Sequence, residues 1–182
     1  MDKRKVLVTG VGGNVGQGII RNIQSCFPDV HITGTNVNEF SAGNYLCDAF
    51  YKTPYAYEES YITSLKNICE IQQIELIIPS TDYEVFYLSL YKNNFSCQIA
   101  VSGVSAAELY LDKYLTYQHH QKFNIPFSKS YLPSEYNGEF FQSIVKPRKG
   151  RGSRGLHINP IDWKQFPDDE YLIQELHPGN EI

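Results

Sequence analysis

A basic, glycine-rich segment in the second half of the chain is the strongest candidate for chemistry. From Lys146 to Gly155 the sequence is Lys-Pro-Arg-Lys-Gly-Arg-Gly-Ser-Arg-Gly, with three glycines in its last six residues. Glycine amides approach an anion closely, and the lysines and arginines add positive charge. The residue order differs from the G-x-x-x-x-G-K-[ST] phosphate loop. We interpret the segment as a lid over nucleotide phosphates. A solvated hairpin tip and an RNA-contacting loop are the alternatives.

A second glycine-rich turn runs from Gly10 to Gly18, between a short β-branched run and a helical pattern. Free backbone N–H groups and the helix dipole could face one anion there. The dinucleotide pattern G-x-G-x-x-G lacks its last glycine because Val15 occupies that position. Asn36 and Asn38 lie where an acidic residue would hold a ribose. An NAD(P)-dependent oxidoreductase or dehydratase is therefore one alternative. A turn needed only for strand–helix packing has equal weight.

The C-terminal segment 171–182 is a third candidate, with the sequence Tyr-Leu-Ile-Gln-Glu-Leu-His-Pro-Gly-Asn-Glu-Ile. An extended backbone offers alternating carbonyl and N–H groups that match the Watson–Crick edge of adenine. The carboxylate of Glu181 could accept hydrogen bonds from ribose hydroxyls. Taken alone, the pattern favours an ordinary edge strand followed by a Pro-Gly turn.

In their order along the chain, these motifs resemble the ATP-grasp superfamily. The resemblance rests on Lys146 with its loop and on the pattern Q-E-x-x-x-G-x-E at 174–181. The glycine-rich opening, residues 79–84 (Pro-Ser-Thr-Asp-Tyr-Glu) and residues 111–113 (Leu-Asp-Lys) are similar to one branch of that superfamily. This branch is related to the large chain of carbamoyl-phosphate synthase and includes stand-alone carboxylate–amine ligases. The likeness covers essentially the whole chain.

The resemblance implies an ATP site in the second half. Lys113 would contact nucleotide phosphates, Lys146 the α- and β-phosphate oxygens, and Ser153 in the lid another phosphate oxygen. Gln174 would line the adenine and Glu181 would hold the ribose. The full implied set is Lys113, Lys146, Gly150, Gly152, Ser153, Gly155, Gln174, Glu175, His177 and Glu181. Of these, Glu175 and His177 would act mainly through their backbone.

The resemblance also implies a substrate side in the first half. Members of the family carry there an α/β domain that resembles a Rossmann unit but binds no dinucleotide. The acceptor-substrate residues carried over are Gly12, Asn14, Ser80, Thr81 and Asp82. A homodimer formed through this domain is expected on the same ground.

The implied reaction starts when a substrate carboxylate attacks the γ-phosphate of ATP. The resulting acylphosphate then reacts with an amine. The family binds Mg²⁺ in a C-terminal half that this chain lacks, so we expect no metal ligands here and an inactive chain. Either a truncated protein or a split gene would explain this. No residue is identified as a catalytic base, and a non-catalytic nucleotide-binding module is the remaining alternative.

The elements that must position these motifs alternate between strands and helices up to residue 103. This alternation predicts a doubly wound α/β fold with a parallel sheet, so residues 1–103 are assigned to a Rossmann-like pre-ATP-grasp domain. After it, two helical patterns precede three strand-like runs. Residues 104–182 are therefore assigned to the first, incomplete α+β part of an ATP-grasp domain with antiparallel strands. The strand-like runs are 5–9, 30–37, 76–79, 98–102, 143–145, 155–158 and 171–176.

The composition limits the partners. A formal net charge of -4 and a pI near 5.7 argue against a general nucleic-acid binder. Four widely spaced cysteines without a Cys-x-x-Cys pair predict reduced thiols and no zinc site. No apolar run approaches the about 20 residues that span a bilayer, and the start lacks a signal-peptide pattern. A cytoplasmic location without a membrane partner is expected.

Overall fold

Two units, Met1–Ala107 and Glu108–Ile182, make up the chain in the computed structural model. The model describes residues 4–150, 152–177 and 179. The domain boundary after residue 103 stays a prediction; the division between the units falls inside a helix at Val104–Leu111. Within the described ranges, no helix combines the length and the apolar character needed to cross a membrane.

The first unit contains a five-stranded sheet in which every pair of neighbouring strands is parallel. Its strands are β1 (Lys5–Val8), β2 (His31–Asn36), β3 (Ala49–Lys52), β4 (Leu76–Ile78) and β5 (Gln98–Ile99). The strand order is β3-β2-β1-β4-β5, which confirms the predicted parallel sheet. The sequence did not predict β3, because its four residues, Ala-Phe-Tyr-Lys, are too few to show a period.

Helices cover both faces of this sheet. They are α1 (Asn14–Cys26), α2 (Tyr61–Gln72) and α3 (Asp82–Leu90), with short 3₁₀ turns at Ala42–Leu46 and Lys92–Asn94. Alternate residues of β1 point to opposite faces, as the strand period requires. Val6 and Val8 pack with Ile20 of α1, whereas Leu7 packs with the buried residues of α2 and α3.

The strand order reverses between β1 and β4. In open α/β sheets this reversal leaves a crevice outside the carboxyl ends of the two strands. The glycine turn that follows β1 and the loop at 79–81 that follows β4 both lie at this edge. The two predicted substrate-side segments are therefore brought to one place within the first unit.

The second unit is built on a four-stranded antiparallel sheet. Its strands are β6 (Ser130–Tyr131), β7 (Ser143–Pro147), β8 (His157–Ile158) and β9 (Tyr171–Glu175), in the order β6-β9-β7-β8. The helices are α4 (Val104–Leu111), which crosses the division, α5 (Lys113–Lys122) and a 3₁₀ turn at Trp163–Gln165. The predicted α+β unit is confirmed. The edge-strand interpretation of 171–176 is wrong, because β9 pairs with a strand on each side.

The two faces of this sheet have different surroundings. Val145 and Ile173, both fully buried, pack against an aromatic layer. The layer includes Tyr136, Phe140, Trp163 and Phe166. Cross-strand pairing places Lys146 opposite Leu172, and Ile144 opposite Gln174, on the other face. The candidate site lies on that second face.

Candidate functional site

A cavity of about 260 Å³ lies on the face of the second sheet that carries Lys146. Its walls come from the start of α5, from β7 and from the loop that follows β7. The lining residues are Lys113, Ile144, Lys146, Pro147, Gly150, Gly152, Ser153, Arg154 and Leu156. Half of the predicted ATP-binding set is therefore gathered around one space, although α5 and the loop are distant in sequence.

Lys146 is half-buried in this cavity, and its ammonium donates a hydrogen bond to Gln174 Oε1 at 2.6 Å. Burial disfavours the charged form, and the nearby positive charge of Lys113 disfavours it further. Both effects lower the pKa of Lys146 from its usual value. An anion placed between the two lysines would counteract both effects.

Lys113 bridges the helix and the loop. It is the first residue of α5, and its backbone N–H donates to the carbonyl of Arg148 at 3.0 Å. Its ammonium donates to the carbonyls of Gly150 at 3.0 Å and Arg148 at 3.4 Å. The side chain therefore crosses from the helix to the first residues of the glycine loop.

An internal ion pair fixes this arrangement. Arg148 contacts Asp112, the N-cap of α5, with Nη2 to Oδ2 at 2.8 Å and Nε to Oδ2 at 3.0 Å. Asp112 also accepts from the backbone N–H groups of Tyr114 and Leu115. Burial alone would raise the pKa of Asp112, but the guanidinium and the two N–H groups outweigh it and hold that pKa below its usual value.

This ion pair gives Arg148 a different role from the one predicted for the basic segment 146–155. Arg148 also donates through Nη1 to the carbonyl of Asp168 at 2.8 Å. Its guanidinium therefore links separate segments of the second unit and does not line the cavity. Asp112 is the N-cap of α5. Its arginine partner, 36 residues further along the chain, had no sequence signal.

The loop after β7 has unusual backbone angles. Gly152, Ser153 and Gly155 have φ values of 65°, 54° and 69°, which lie in the left-handed region. Glycine adopts this region without the steric cost that other residues incur. Among the described residues, no atom lies within 4 Å of the side-chain position of Gly152, and residues 152 to 159 are exposed. Space is therefore available above the loop backbone. Arg151 lies outside the described residues.

The residues predicted to surround the adenine lie on β9 and just after it. Gln174 is buried and contacts Lys146, so its side chain does not face an open space. The backbone N–H groups of Glu175 and Leu176 donate to Lys129 and Gln142. The side chains of Glu175 and His177 approach each other at 3.6 Å. None of these lines the cavity, and Gly155 does not either. Glu181 falls outside the described residues.

In the first unit, three glycines of the turn after β1, Gly10, Gly12 and Gly16, are closely surrounded by other atoms. Gly10 has a φ of 59°, and a Cβ there would lie 2.5 Å from Ser80 Oγ. A Cβ on Gly12 would lie 2.4 Å from Asn36 Nδ2, and one on Gly16 would lie 2.7 Å from the carbonyl oxygen of Gly10. These contacts favour the packing interpretation of the turn.

The five predicted substrate-side residues lie at the carboxyl edge of the first sheet, after β1 and after β4. Ser80 donates to the carbonyl of Gly10 at 3.2 Å. Thr81 caps α3, because its hydroxyl accepts from the N–H of Glu84 and donates to the Glu84 carboxylate at 2.8 Å. Asn14 and Asp82, which begin α1 and α3, are exposed.

The end of β2 does not suit a dinucleotide. Asn36 is buried there, where an acidic residue would hold a ribose. It donates to Asn44 Oδ1 at 3.1 Å and accepts from the N–H of Val37 at 2.9 Å. A neutral amide already engaged on both sides lacks the carboxylate of the dinucleotide pattern.

Metal ligands do not form a cluster in the part of the chain that the structure describes. No group of three or more His, Cys, Asp or Glu side chains in that part could hold an ion. Cys26, Cys47, Cys69 and Cys97 are free. Burial is the main cause that raises the pKa of Cys47 to about 11, which makes this thiol a poor nucleophile at neutral pH.

Comparison with known proteins adds a family and a fold. Residues 6–101 match the family described as PylC-like, N-terminal domain. N5-carboxyaminoimidazole synthetase from Staphylococcus aureus, solved with ADP, matches with a TM-score of 0.70 at 15% identity, over 95% of this chain and 47% of that chain. The biotin carboxylase domain of 2-oxoglutarate carboxylase from Hydrogenobacter thermophilus matches with a TM-score of 0.64 at 13% identity, over 97% and 45%. No curated protein sequence matches the chain.

At these identities the solved structures show the fold alone. The chain spans about half the length of both structures, 47% and 45%. The fold agrees with the predicted order of a parallel α/β domain followed by an α+β part, so the predicted fold class is confirmed.

Proposed function

The chain belongs to the PylC-like, N-terminal domain family and has the fold of ATP-grasp enzymes; from this premise we propose that it supplies ATP-binding residues to a carboxylate–amine ligase. The observation that carries the proposal is the single cavity at which Lys113, Lys146 and the glycine loop meet. Two ammonium groups beside exposed backbone amides offer what nucleotide phosphates require.

In this proposal the two lysines bind phosphate oxygens. Lys146 contacts the α- and β-phosphates, and Lys113 contacts a phosphate from the start of α5. Burial and Lys113 lower the pKa of Lys146, and an anion bound beside both lysines would stabilise its ammonium form. The Arg148–Asp112 pair keeps α5 against β7, which holds the two lysines on the same cavity.

The loop from Gly150 to Gly155 acts as the lid. Its left-handed positions turn the backbone sharply, and its residues 152–155 are exposed, which suits backbone amides that bind phosphate oxygens. Ser153 donates its hydroxyl to a phosphate. Glu175 and His177 contact the adenine through their backbone, and Glu181 holds the ribose.

The reaction has two steps. A substrate carboxylate oxygen attacks the γ-phosphorus of ATP, the bond to the β-phosphate oxygen breaks, and ADP leaves. An amine then attacks the acyl carbon of the acylphosphate, inorganic phosphate leaves, and the nitrogen loses a proton. The residues of this chain contribute by positioning the nucleotide and neutralising its charge. Mg²⁺ supplies further charge neutralisation when bound. The described residues hold no cluster for it, so no step is assigned to the ion.

The first unit would contact the small-molecule carboxylate and amine substrates. We assign these contacts to the carboxyl ends of β1 and β4, where the strand order reverses and where Gly12, Asn14, Ser80, Thr81 and Asp82 lie. Asn14 and Asp82 are exposed, so they contact substrate directly. The hydroxyls of Ser80 and Thr81 hydrogen-bond within the unit, so they shape this edge.

The ligase is related to the large chain of carbamoyl-phosphate synthase, this chain alone is inactive, and the boundary between its two domains lies after residue 103. It forms a homodimer through the first domain; the Hydrogenobacter thermophilus domain was solved as a dimer. A cytoplasmic location stays a prediction of the sequence.

Hydrogen–deuterium exchange with saturating ADP, and separately with NAD, tests the proposed function. We expect ADP to slow exchange at 146–155 and 174–182, while NAD leaves all segments unchanged. Protection of 10–18 by NAD would overturn the proposal and favour the oxidoreductase alternative. Phosphate release from ATP by a longer protein that contains this chain would eliminate the non-catalytic module.

A further inference from the structure

We propose that Gln174 is a positioning residue whose side-chain amide orients the Lys146 ammonium toward the nucleotide phosphates, and that it does not contact the adenine. The inference rests on the proposed function. It replaces the adenine-lining role that the ATP-grasp resemblance implies for this glutamine.

The orientation of the amide follows from hydrogen-bond chemistry. A lysine ammonium only donates, so the atom that faces Lys146 at 2.6 Å must be the carbonyl oxygen of Gln174. The amide nitrogen then faces Ser130 Oγ at 2.9 Å and the carbonyl of Ser128 at 3.4 Å. A backbone carbonyl only accepts, which agrees with a nitrogen on that side. The reverse orientation would place donors against donors.

Ser130 fixes the far side of the amide. Its hydroxyl accepts from Gln174 Nε2 and donates to the carbonyl of Ser128 at 3.0 Å. Ser130 and Gln174 are 2% and 8% exposed, so water competes little for these bonds. The chain of bonds from Ser128 through Ser130 and Gln174 ends at the Lys146 ammonium. A long, flexible side chain is thereby held in one place before any ligand binds.

A neutral partner suits this task better than a carboxylate. A glutamate at 174 would attract the Lys146 ammonium more strongly. Its negative charge would, however, neutralise the positive charge that binds the phosphates. The glutamine oxygen orients Lys146 and leaves its full positive charge. The other charged side chains at the cavity, Lys113 and Arg154, are also positive.

The test compares ligands with and without phosphates. Calorimetry would measure the affinities of ADP and adenosine for the wild-type chain, Gln174→Met and Ser130→Ala. We expect Gln174→Met to weaken ADP binding roughly tenfold, the effect of removing one hydrogen bond to a charged group, and to leave adenosine unchanged. Ser130→Ala should act in the same direction by a smaller factor. Equal losses for ADP and adenosine would overturn the proposal, because they would indicate an adenine contact.

A second readout follows Lys146 itself and needs no nucleotide. The NMR titration of its Cε resonance should give a pKa that Gln174→Glu raises and Gln174→Met lowers. An unchanged Lys146 titration in both variants would show that the amide does not hold the ammonium. Gln174 is buried, so thermal unfolding is recorded in parallel. If Gln174→Met unfolds, Ser130→Ala tests the same contact with the glutamine in place.

The lysine variant separates the two proposals. If Lys146→Ala leaves ADP binding unchanged, the proposed function fails. If Lys146→Ala weakens ADP binding but Gln174→Met does not, only the positioning role of Gln174 fails.

Discussion

The glycine turn after β1 and the glycine loop after β7 differ in what surrounds their backbone. In the first, Cβ atoms added at Gly10, Gly12 and Gly16 would meet Ser80, Asn36 or the carbonyl of Gly10 at less than 3 Å. In the second, no atom of the residues that the structure describes lies within 4 Å of the Cβ position of Gly152, and two lysines line the cavity beside it. Both segments are glycine-rich, but only the second combines open space with positive charge. Open space and cations, more than the glycines themselves, therefore identify the candidate anion site.

The largest expected effect concerns packing in the first turn. Gly16→Ala would place a Cβ 2.7 Å from the Gly10 carbonyl oxygen and 2.8 Å from Val11 Cα. Because both are backbone atoms, we expect a loss of about 3 kcal/mol of unfolding free energy. Urea denaturation followed by circular dichroism would measure it.

Gly18→Ala is the matched control, since it lies in the same helix with nothing within 4 Å. It should stabilise by up to about 1 kcal/mol through helix propensity. If Gly16→Ala were as stable as Gly18→Ala, the contrast between the two glycine segments would be lost.

The next effect concerns the ion pair under the second loop. Asp112→Asn keeps a residue that can cap α5 but leaves the mostly buried Arg148 guanidinium without its carboxylate. We expect a loss of about 2 kcal/mol at neutral pH, the range of hydrogen bonds to charged groups. The fluorescence of Trp163, the single tryptophan, reports unfolding of this unit. Asp162→Asn, at an exposed position in the same unit, should change stability little.

The same pair predicts a dependence on pH. The folded-state pKa of Asp112 lies below the unfolded value of about 3.9. Its contribution is therefore complete above about pH 4 and is lost as the pH falls through the folded-state pKa. The acid loss of stability should be steeper in the wild type than in Asp112→Asn. Equal slopes would mean that the ion pair does not stabilise the fold.

The smallest effect concerns the lid. Gly152→Ala meets no steric contact, but its φ of 65° lies in the left-handed region. We expect a loss of only about 1 kcal/mol, measured by the same fluorescence assay. A loss as large as that of Gly16→Ala would show that the second loop is as closely packed as the first turn.

The sequence was sufficient for much of the fold. β-branched runs such as Lys5–Val8 and the helical spacing after them predicted the parallel sheet. The short β3 and the central place of β9 were not predictable. A four-residue strand shows no period, and edge or central position depends on distant partners.

The candidate site was predictable only in part. The sequence and its ATP-grasp resemblance together named Lys113, Lys146 and the glycine loop, and the structure gathers them around one cavity. The resemblance placed Gln174 beside the adenine, whereas in the structure its side chain accepts a hydrogen bond from Lys146. The Arg148–Asp112 pair was missed, because side-chain partners distant in sequence appear only once the strands are paired.

Binding of ADP to the wild-type chain, Lys146→Ala and Lys149→Ala, measured by calorimetry, tests the central claim most directly. Lys149 is an exposed basic residue of the same loop and does not line the cavity. The account predicts that Lys146→Ala weakens ADP binding by about 2 kcal/mol, roughly 30-fold, while Lys149→Ala changes it little. Equal affinities for the wild type and Lys146→Ala would contradict the assignment of this cavity to nucleotide phosphates.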